Sequence, residues 1–132
     1  LIAMSACIIG VVNAYLVAGD YETARQKAVF YHELFGDDFY IEIQDHGLKE
    51  DEIILRDAPK LAKELGIKII GTNDVHYCHK QDAYAHNVHL MIKDSSASNS
   101  GTFDIKQLRY KVPEMYFKTK MQMNEMFSDF PA

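Results

Sequence analysis

Residues 39–70 read FYIEIQDHGLKEDEIILRDAPKLAKELGIKII, and this stretch decides the fold. Its first five residues have the alternating pattern of a strand, and polar residues with a glycine follow at 44–47. Apolar residues then recur at helical spacing up to Gly66, and Pro59 either kinks this helix or restarts it after Asp57. A compact apolar strand follows at 67–70. A strand, a helix and a second strand joined by short links predict parallel strands with a crossover helix, as in α/β folds.

The same alternation of elements extends toward the amino terminus. Residues 1–9 are mainly apolar and end at Gly10, which predicts a short buried strand that runs into a loop. Asp20 offers an N-cap, and apolar residues at helical spacing continue up to Gly36, a typical helix stop. Two successive strand and helix repeats favour a parallel sheet over an all-α fold or a sandwich.

Further along the chain, the sequence predicts two more helices. One covers residues 81–92, with its apolar side chains on one side. Residues 94–101 are rich in serine, and we expect a flexible loop there. A short strand over 116–118 and a final helix that contains Met121 and Phe127 follow. We therefore treat residues 1–132 as one domain.

Composition and charge exclude several classes of protein. The chain has 132 residues, which is enough for one hydrophobic core but not for a protein of several domains. With 14 Lys and Arg against 19 Asp and Glu, the net charge of -5 provides no overall basic field that would attract nucleic acid or an anionic membrane. The two cysteines are too few for a disulfide scaffold.

The apolar stretch over residues 1–16 does not indicate a membrane span. Ser5, Gly10 and Asn13 interrupt it, and it falls short of the roughly 20 residues that a membrane helix needs. It also lacks the positively charged start of a signal peptide, so we expect a cytoplasmic protein with no membrane partner. Because the chain opens at Leu1 without a methionine, we expect it to begin inside a longer polypeptide.

Asp74 and His76 form the sharpest chemical feature of the sequence. They lie in residues 72–77, TNDVHY, after the strand that starts near Ile67. Alternation along a strand would turn both side chains to the same face, with Cα atoms about 6.6 Å apart. A carboxylate and a neutral imidazole are good ligands for zinc or manganese. The alternative is that Asp74 caps a turn and His76 is a buried histidine with satisfied hydrogen bonds.

Three further residues extend the metal hypothesis. Cys7 closes the first predicted strand and as a thiolate would be a third, softer ligand, although a buried cysteine also serves as a small hydrophobic residue. Glu42 and His46 stand at the end of another strand, where His46 would meet a phosphate or an outer-shell carboxylate, unless it is a simple turn histidine. The sequence contains no phosphate-binding loop, dinucleotide-binding glycine motif or nucleophile elbow.

A collinear series of motifs resembles one known family. The motifs are Ser5-Ala6-Cys7, Gly19-Asp20-Tyr21, residues 35–47 (FGDDFYIEIQDHG), residues 61–67 (LAKELGI), residues 72–77 (TNDVHY) and residues 82–87 (DAYAHN). Together they are similar, over nearly the whole chain, to the polymerase and histidinol phosphatase (PHP) domain at the amino end of bacterial DNA polymerase III alpha subunits. A collinear series is far more specific than any one of its motifs.

This resemblance implies both a fold and a chemistry. The fold is a distorted seven-stranded α/β barrel whose strand ends hold a cluster of divalent metal ions, zinc or manganese. In members with the full ligand set, the cluster supports phosphodiester hydrolysis, including 3'-5' exonuclease proofreading; in others the domain is structural. The matching metal ligands are Cys7, Asp74 and His76, and the site neighbours are His46, Glu42 and Asn73. For the intact protein, the resemblance implies a magnesium-dependent DNA polymerase that binds DNA and other replicase subunits.

The chain also departs from the family pattern. The family's His-x-His strand, its Thr-Asp-His-Gly turn, and a glutamate and a histidine before the cysteine are absent, and Gly10-Val11 stands where the family usually has Gly-Glu. About half of the metal ligands are therefore missing, and the barrel is incomplete. We expect the isolated chain to be inactive, with no catalytic residues of its own, and to self-associate through uncovered strands. The alternatives are a stand-alone phosphoesterase of the histidinol phosphatase type and a noncatalytic scaffold.

Overall fold

The computed structural model describes residues 1–98 and 112–130, with side chains described outside 93–98. The chain forms two compact units. The first comprises Leu1–Asn73 with Thr119–Ala132, and the second comprises Asp74–Lys118. The sheet belongs to the first unit.

Three parallel strands form this sheet, in the order β1-β2-β3. They are β1 (Ala3–Met4), β2 (Phe39–Ile43) and β3 (Lys68–Gly71). In the register of the sheet, Ala3 pairs with Phe39, and Ile41 pairs with Ile69. Strands that are parallel and adjacent in sequence order confirm the predicted α/β arrangement. Among the described residues, the three strands form an open sheet.

The first strand is much shorter than the strand predicted over residues 1–9. The backbone turns at Ala6, whose φ of 64° lies in the left-handed region. The Gly10 backbone N–H then donates to the Cys7 carbonyl oxygen at 2.8 Å. A left-handed residue interrupts the pleat of a strand, so Cys7 lies in a turn. The prediction that Cys7 closes a strand is therefore wrong.

The described residues form five α-helices: α1 (Asn13–Val17), α2 (Tyr21–Phe35), α3 (Lys49–Leu65), α4 (Ala83–Ser98) and α5 (Lys120–Met126). Asp20 caps α2 as predicted, since its Oδ1 accepts the Thr23 backbone N–H at 3.0 Å. Gly66, with a φ of 68°, ends α3 as predicted, and Pro59 lies inside that helix. The short helix α1 is not predicted, because five residues show little periodicity. Within the described ranges, no helix is both long and apolar enough to cross a bilayer.

One face of the sheet carries the hydrophobic core of the first unit. Phe39, Ile41 and Ile43 alternate along β2 and are fully buried. The buried helix and loop side chains in the same cluster are Val12, Leu16, Ala24, Ala28, Ile54, Ala58, Leu61 and Ala62. Tyr40 and Glu42 lie between the core positions of β2 and therefore point to the opposite face.

The second unit contains α4. A short 3-10 turn at Lys80–Asp82 leads into this helix, and Tyr77 forms an isolated parallel bridge with Tyr116. The helix predicted over 81–92 is confirmed and continues through Ser98. Residues 94–98 are thus helical, where a loop over 94–101 is predicted, and residues 99–101 lie outside the described residues. Of the strand predicted over 116–118, the structure retains only the bridge at Tyr116.

Candidate functional site at the carboxyl ends of the strands

The backbone of Glu42 anchors the loop that carries Cys7. Glu42 N–H donates to the Ser5 hydroxyl oxygen at 2.9 Å, and the Glu42 carbonyl accepts from Asn13 Nδ2 at 3.0 Å. The same Asn13 nitrogen donates to the Ala6 carbonyl at 2.9 Å. Ser5 and Asn13 are fully buried, and Cys7 is half-buried with a free thiol. Buried hydrogen bonds are costly to break, so this loop is held beside the end of β2.

The side chain of Glu42 makes a second set of hydrogen bonds. Its Oε1 accepts from the Thr72 hydroxyl and from Gln44 Nε2, the latter at 3.1 Å. Gln44 Nε2 also approaches Thr72 Oγ1 at 3.1 Å. Glu42 is only 7% exposed, so its carboxylate is largely shielded from bulk water. Because Thr72 directly follows β3, this cluster links the carboxyl ends of β2 and β3.

His46 and Asp51 form a buried polar pair in the turn between β2 and α3. Asp51 Oδ2 accepts the backbone N–H groups of His46 at 2.8 Å and of Leu48 at 3.1 Å. His46 Nδ1 lies 3.8 Å from the same oxygen, and the two side chains are 2% and 1% exposed. Asp51 therefore stabilises both the connection between β2 and α3 and the first helical turn of α3. Asp51, whose carboxylate lies beside His46, is not among the site residues predicted from the sequence.

In the second unit, Asp74 and His76 lie close together. Asp74 Oδ1 and His76 Nδ1 are 3.9 Å apart, and the same nitrogen is 3.1 Å from the Asp74 carbonyl oxygen. Because β3 ends at Gly71, the pair lies in an irregular segment beyond the strand. The strand alternation from which its geometry is predicted therefore does not apply.

The His86 ring packs beside this pair. Its centroid lies 5.2 Å from that of His76 and 5.4 Å from that of Tyr77. Burial first, and then electrostatic interaction with His76 and His89, lowers the pKa of His86, and burial raises the pKa of Tyr77. His86 is therefore neutral at physiological pH, which is the form in which a histidine binds metal or accepts a hydrogen bond.

The donor chemistry of Asp74 and His76 suits a divalent metal ion. His76 Nδ1 lies at hydrogen-bond distance from the Asp74 carbonyl oxygen, which can only accept, so Nδ1 would be the donor and Nε2 the nitrogen that binds a metal. In the described parts of the chain, no three His, Cys, Asp or Glu side chains come together as a metal site. The other predicted site residues belong to the first unit: Cys7, Glu42, His46 and Asn73. The described chain thus supplies a ligand pair and not a complete metal site.

Sequence reasoning missed five residues of these networks: Ser5, Asn13, Gln44, Asp51 and Thr72. A signal for Asp51 exists, because an acidic residue in the first turn of a helix can accept the backbone N–H of the residue before the helix, here Leu48. No local pattern reveals the partners of Glu42, since Ser5 and Asn13 lie 37 and 29 residues away from it along the chain.

Comparison with known proteins relates these residues to a family. Residues 1–46 match the model of the PHP domain. DNA polymerase III subunit alpha of Campylobacter jejuni is 41% identical over 141 aligned residues, which cover 99% of this chain. The proteins of the same name from Borreliella burgdorferi and Deinococcus radiodurans are 33% and 38% identical and cover 99% and 93% of the chain. The chain is homologous to the PHP region of DNA polymerase III alpha subunits.

The homology confirms the resemblance inferred from the collinear motifs. The family-model match includes the Cys7 loop, β2 and His46, and the alignments with the alpha subunits extend over nearly the whole chain. The chain spans about a tenth of the length of these relatives, namely 11%, 11% and 9% of the three proteins.

Proposed function

We propose that this chain is part of a DNA polymerase III alpha subunit and contributes to its PHP domain. The observation that carries this proposal is the similarity to these subunits over 99% of the chain. The intact protein would carry out magnesium-dependent DNA synthesis, bind DNA and other replicase subunits, and act in the cytoplasm. The shared name of the relatives favours this function over that of a stand-alone phosphoesterase.

We propose further that the sheet is one segment of a distorted seven-stranded barrel. Parallel strands in sequence order, with helices packed on one face, are features of α/β barrels. The edge strand β1 has only two residues, and among the described residues it pairs only with β2. Additional strands of the proposed barrel would pair with this edge.

The proposed metal ligands are Cys7, Asp74 and His76, with His46, Glu42 and Asn73 as neighbours. Support comes from the family resemblance and from the proximity of the Asp74 and His76 side chains, whose Oδ1 and Nδ1 atoms lie 3.9 Å apart. Asp74 would supply an anionic oxygen, His76 a neutral nitrogen and Cys7 a softer thiolate, a set that suits zinc or manganese. Such ions polarise a phosphodiester and lower the pKa of a bound water.

A structural platform is the second candidate function. The described residues bring two ligands together rather than three, and a pair of ligands alone binds metal weakly. In a platform, the buried networks around Glu42 and Asp51 would keep the domain rigid where it packs against the rest of the polymerase.

Metal analysis of the natural polypeptide that contains this chain tests these proposals. We expect the wild type to retain stoichiometric zinc or manganese after dialysis, and Asp74→Ala or His76→Ala to weaken binding by at least about tenfold. His79→Ala removes an exposed histidine of the same unit, and this variant should bind the metal with the affinity of the wild type. A wild type that binds no metal would contradict the metal site.

Nuclease assays then separate hydrolysis from a platform role. Release of nucleotides from a DNA 3' end that is lost in Asp74→Ala would assign the hydrolytic function. Bound metal without nucleotide release would assign the structural one. The isolated chain is expected to release no nucleotides in either case.

A further inference from the structure

Glu42 is the point at which two ligand-bearing segments of the chain meet. On the amino-terminal side, its N–H and C=O bond to Ser5 and Asn13, which flank Cys7 in the sequence. On the carboxyl-terminal side, its carboxylate bonds to Thr72, which lies two residues before Asp74 in the chain. One residue therefore restrains the loop that carries one proposed ligand and the start of the segment that carries the other two.

The surroundings of Glu42 make these restraints strong. Asn13 and Ser5 are fully buried, and loss of their bonds would leave buried polar groups unpaired. Hydrogen bonds to a carboxylate are stronger than those between neutral groups, which favours a fixed Thr72 hydroxyl. Ala6 adopts a left-handed φ of 64°, an unfavourable conformation that persists only where neighbouring contacts hold it, as the bond from Asn13 does.

We propose that Glu42 is a positioning residue, which places the Cys7 loop and the segment leading to Asp74 through one connected network. This inference rests on the proposed metal-binding function, and the ligand concerned is a divalent metal ion. Glu42 acts through its neighbours: its Oε1 accepts from the Thr72 hydroxyl and the Gln44 amide, and its backbone bonds to Ser5 and Asn13. We call the hydrogen bonds of Asn13 one arm of this network and the hydrogen bond of Thr72 to Glu42 the other.

Cobalt(II) binding by the natural polypeptide is the first test, with variants in each arm. Thr72→Val keeps the side-chain shape and removes the hydroxyl, whereas Thr72→Ser retains it. Asn13→Ala removes both donated hydrogen bonds of the other arm. Thr119→Val is the matched control, since it removes a hydroxyl that caps α5 in the same unit. The thiolate-to-cobalt charge-transfer absorption reports on Cys7 itself.

We expect Thr72→Val and Asn13→Ala each to weaken cobalt binding about tenfold, as loss of an outer-shell partner does. Asn13→Ala should also reduce the thiolate absorption, while Thr72→Ser and Thr119→Val should stay within about twofold of the wild type. Because both arms act through Glu42, the double variant should show a smaller loss of cobalt affinity than the product of the losses in Asn13→Ala and Thr72→Val. Unchanged affinity in folded single variants, or purely multiplicative losses, would overturn the inference.

A second readout needs no metal. The rate at which Cys7 reacts with a thiol reagent, followed by mass spectrometry of its peptide, should rise about tenfold in Asn13→Ala and by a smaller factor in Thr72→Val. If the wild type binds no cobalt, the proposed metal function fails, but this rate still tests the network. Unchanged Cys7 reactivity in both variants would show that Glu42 does not hold the loop.

Discussion

A Cβ on residue 10 would fall on the backbone carbonyl oxygen of Ser5, against which Gly10 packs directly. The same Cβ would also lie 2.9 Å from the Ala6 carbonyl carbon and the Cys7 oxygen. Real Cβ atoms do not approach other heavy atoms so closely, and here the obstacle is backbone that cannot rotate away. The turn that carries Cys7 therefore requires glycine at position 10.

We expect Gly10→Ala to destabilise the protein by about 2–3 kcal/mol, because the backbone of the turn must shift to make room. Urea unfolding measures this change. Gly19→Ala is the control: no heavy atom lies within 4 Å of its added Cβ, and only its φ of 77° opposes the substitution. That strain should cost about 1 kcal/mol. Equal losses in the two variants would contradict the steric argument.

The Cys7 turn also shows where sequence reasoning reaches its limit. Ser5, Gly10 and Asn13 are visible in the sequence as interruptions of an apolar stretch. In the structure, Gly10 packs into the turn, and Ser5 and Asn13 bond the turn to Glu42, more than 25 residues away. Alternation predicts β2, and short apolar runs indicate its partner strands, because those signals are local. The turn depends on tertiary contacts that no window of sequence contains.

The Asp74 and His76 pair illustrates a second limit. Residue chemistry and the family resemblance single out both side chains, but the predicted geometry assumes that the strand continues to His76. The strand β3 ends at Gly71, where the Phe127 ring packs against the glycine backbone. The sequence predicts a strand over 67–70, close to the observed β3, so only the extension of its alternation to His76 is wrong.

Asp51 provides a second prediction, on the turn that holds His46. Asp51→Ala leaves the backbone N–H groups of His46 and Leu48 without their acceptor, so we expect a loss of about 2–3 kcal/mol in the free energy of unfolding. Glu50→Ala removes a neighbouring exposed acid from the same first turn of α3 and should cost less than about 0.5 kcal/mol. Urea unfolding of both variants measures the difference, and comparable losses would show that charge near the helix start, not the buried acceptor, matters.

Gly71 and Phe127 provide a third prediction, because a Cβ at position 71 would lie 2.6 Å from Phe127 Cδ2. Each single substitution, Gly71→Ala and Phe127→Ala, should destabilise the protein by about 1–3 kcal/mol. In the double variant the clash is gone, so its loss should be smaller than the sum by about 1 kcal/mol. Met121 is an exposed residue of α5, so Gly71→Ala with Met121→Ala should be additive within about 0.5 kcal/mol. If the losses in the free energy of unfolding are additive in both double variants, the contact between Gly71 and Phe127 is contradicted.

Asp57 on α3 provides a prediction of pH dependence. Hydrogen bonds from Arg56, with a further contribution from Lys60, lower the pKa of Asp57 from 3.8 to about 2. A folded pKa below the unfolded value stabilises the protein fully above about pH 4, and this contribution is lost as the pH falls toward 2. The Arg56 and Lys60 side chains are each 63% exposed, so solvent screening limits the contribution to about 0.5–1 kcal/mol.

We therefore expect Asp57→Asn to lower the free energy of unfolding by about 0.5–1 kcal/mol at neutral pH, and the difference from the wild type to shrink and disappear as the pH falls through about 2. Urea unfolding at a series of pH values measures this difference directly. Asp129→Asn, at an exposed position without an ion pair among those found in the described residues, should show little difference at any pH. A loss in Asp57→Asn that persists unchanged at low pH would mean that the side chain stabilises α3 by packing, since the ionic contribution disappears once the carboxylate is protonated.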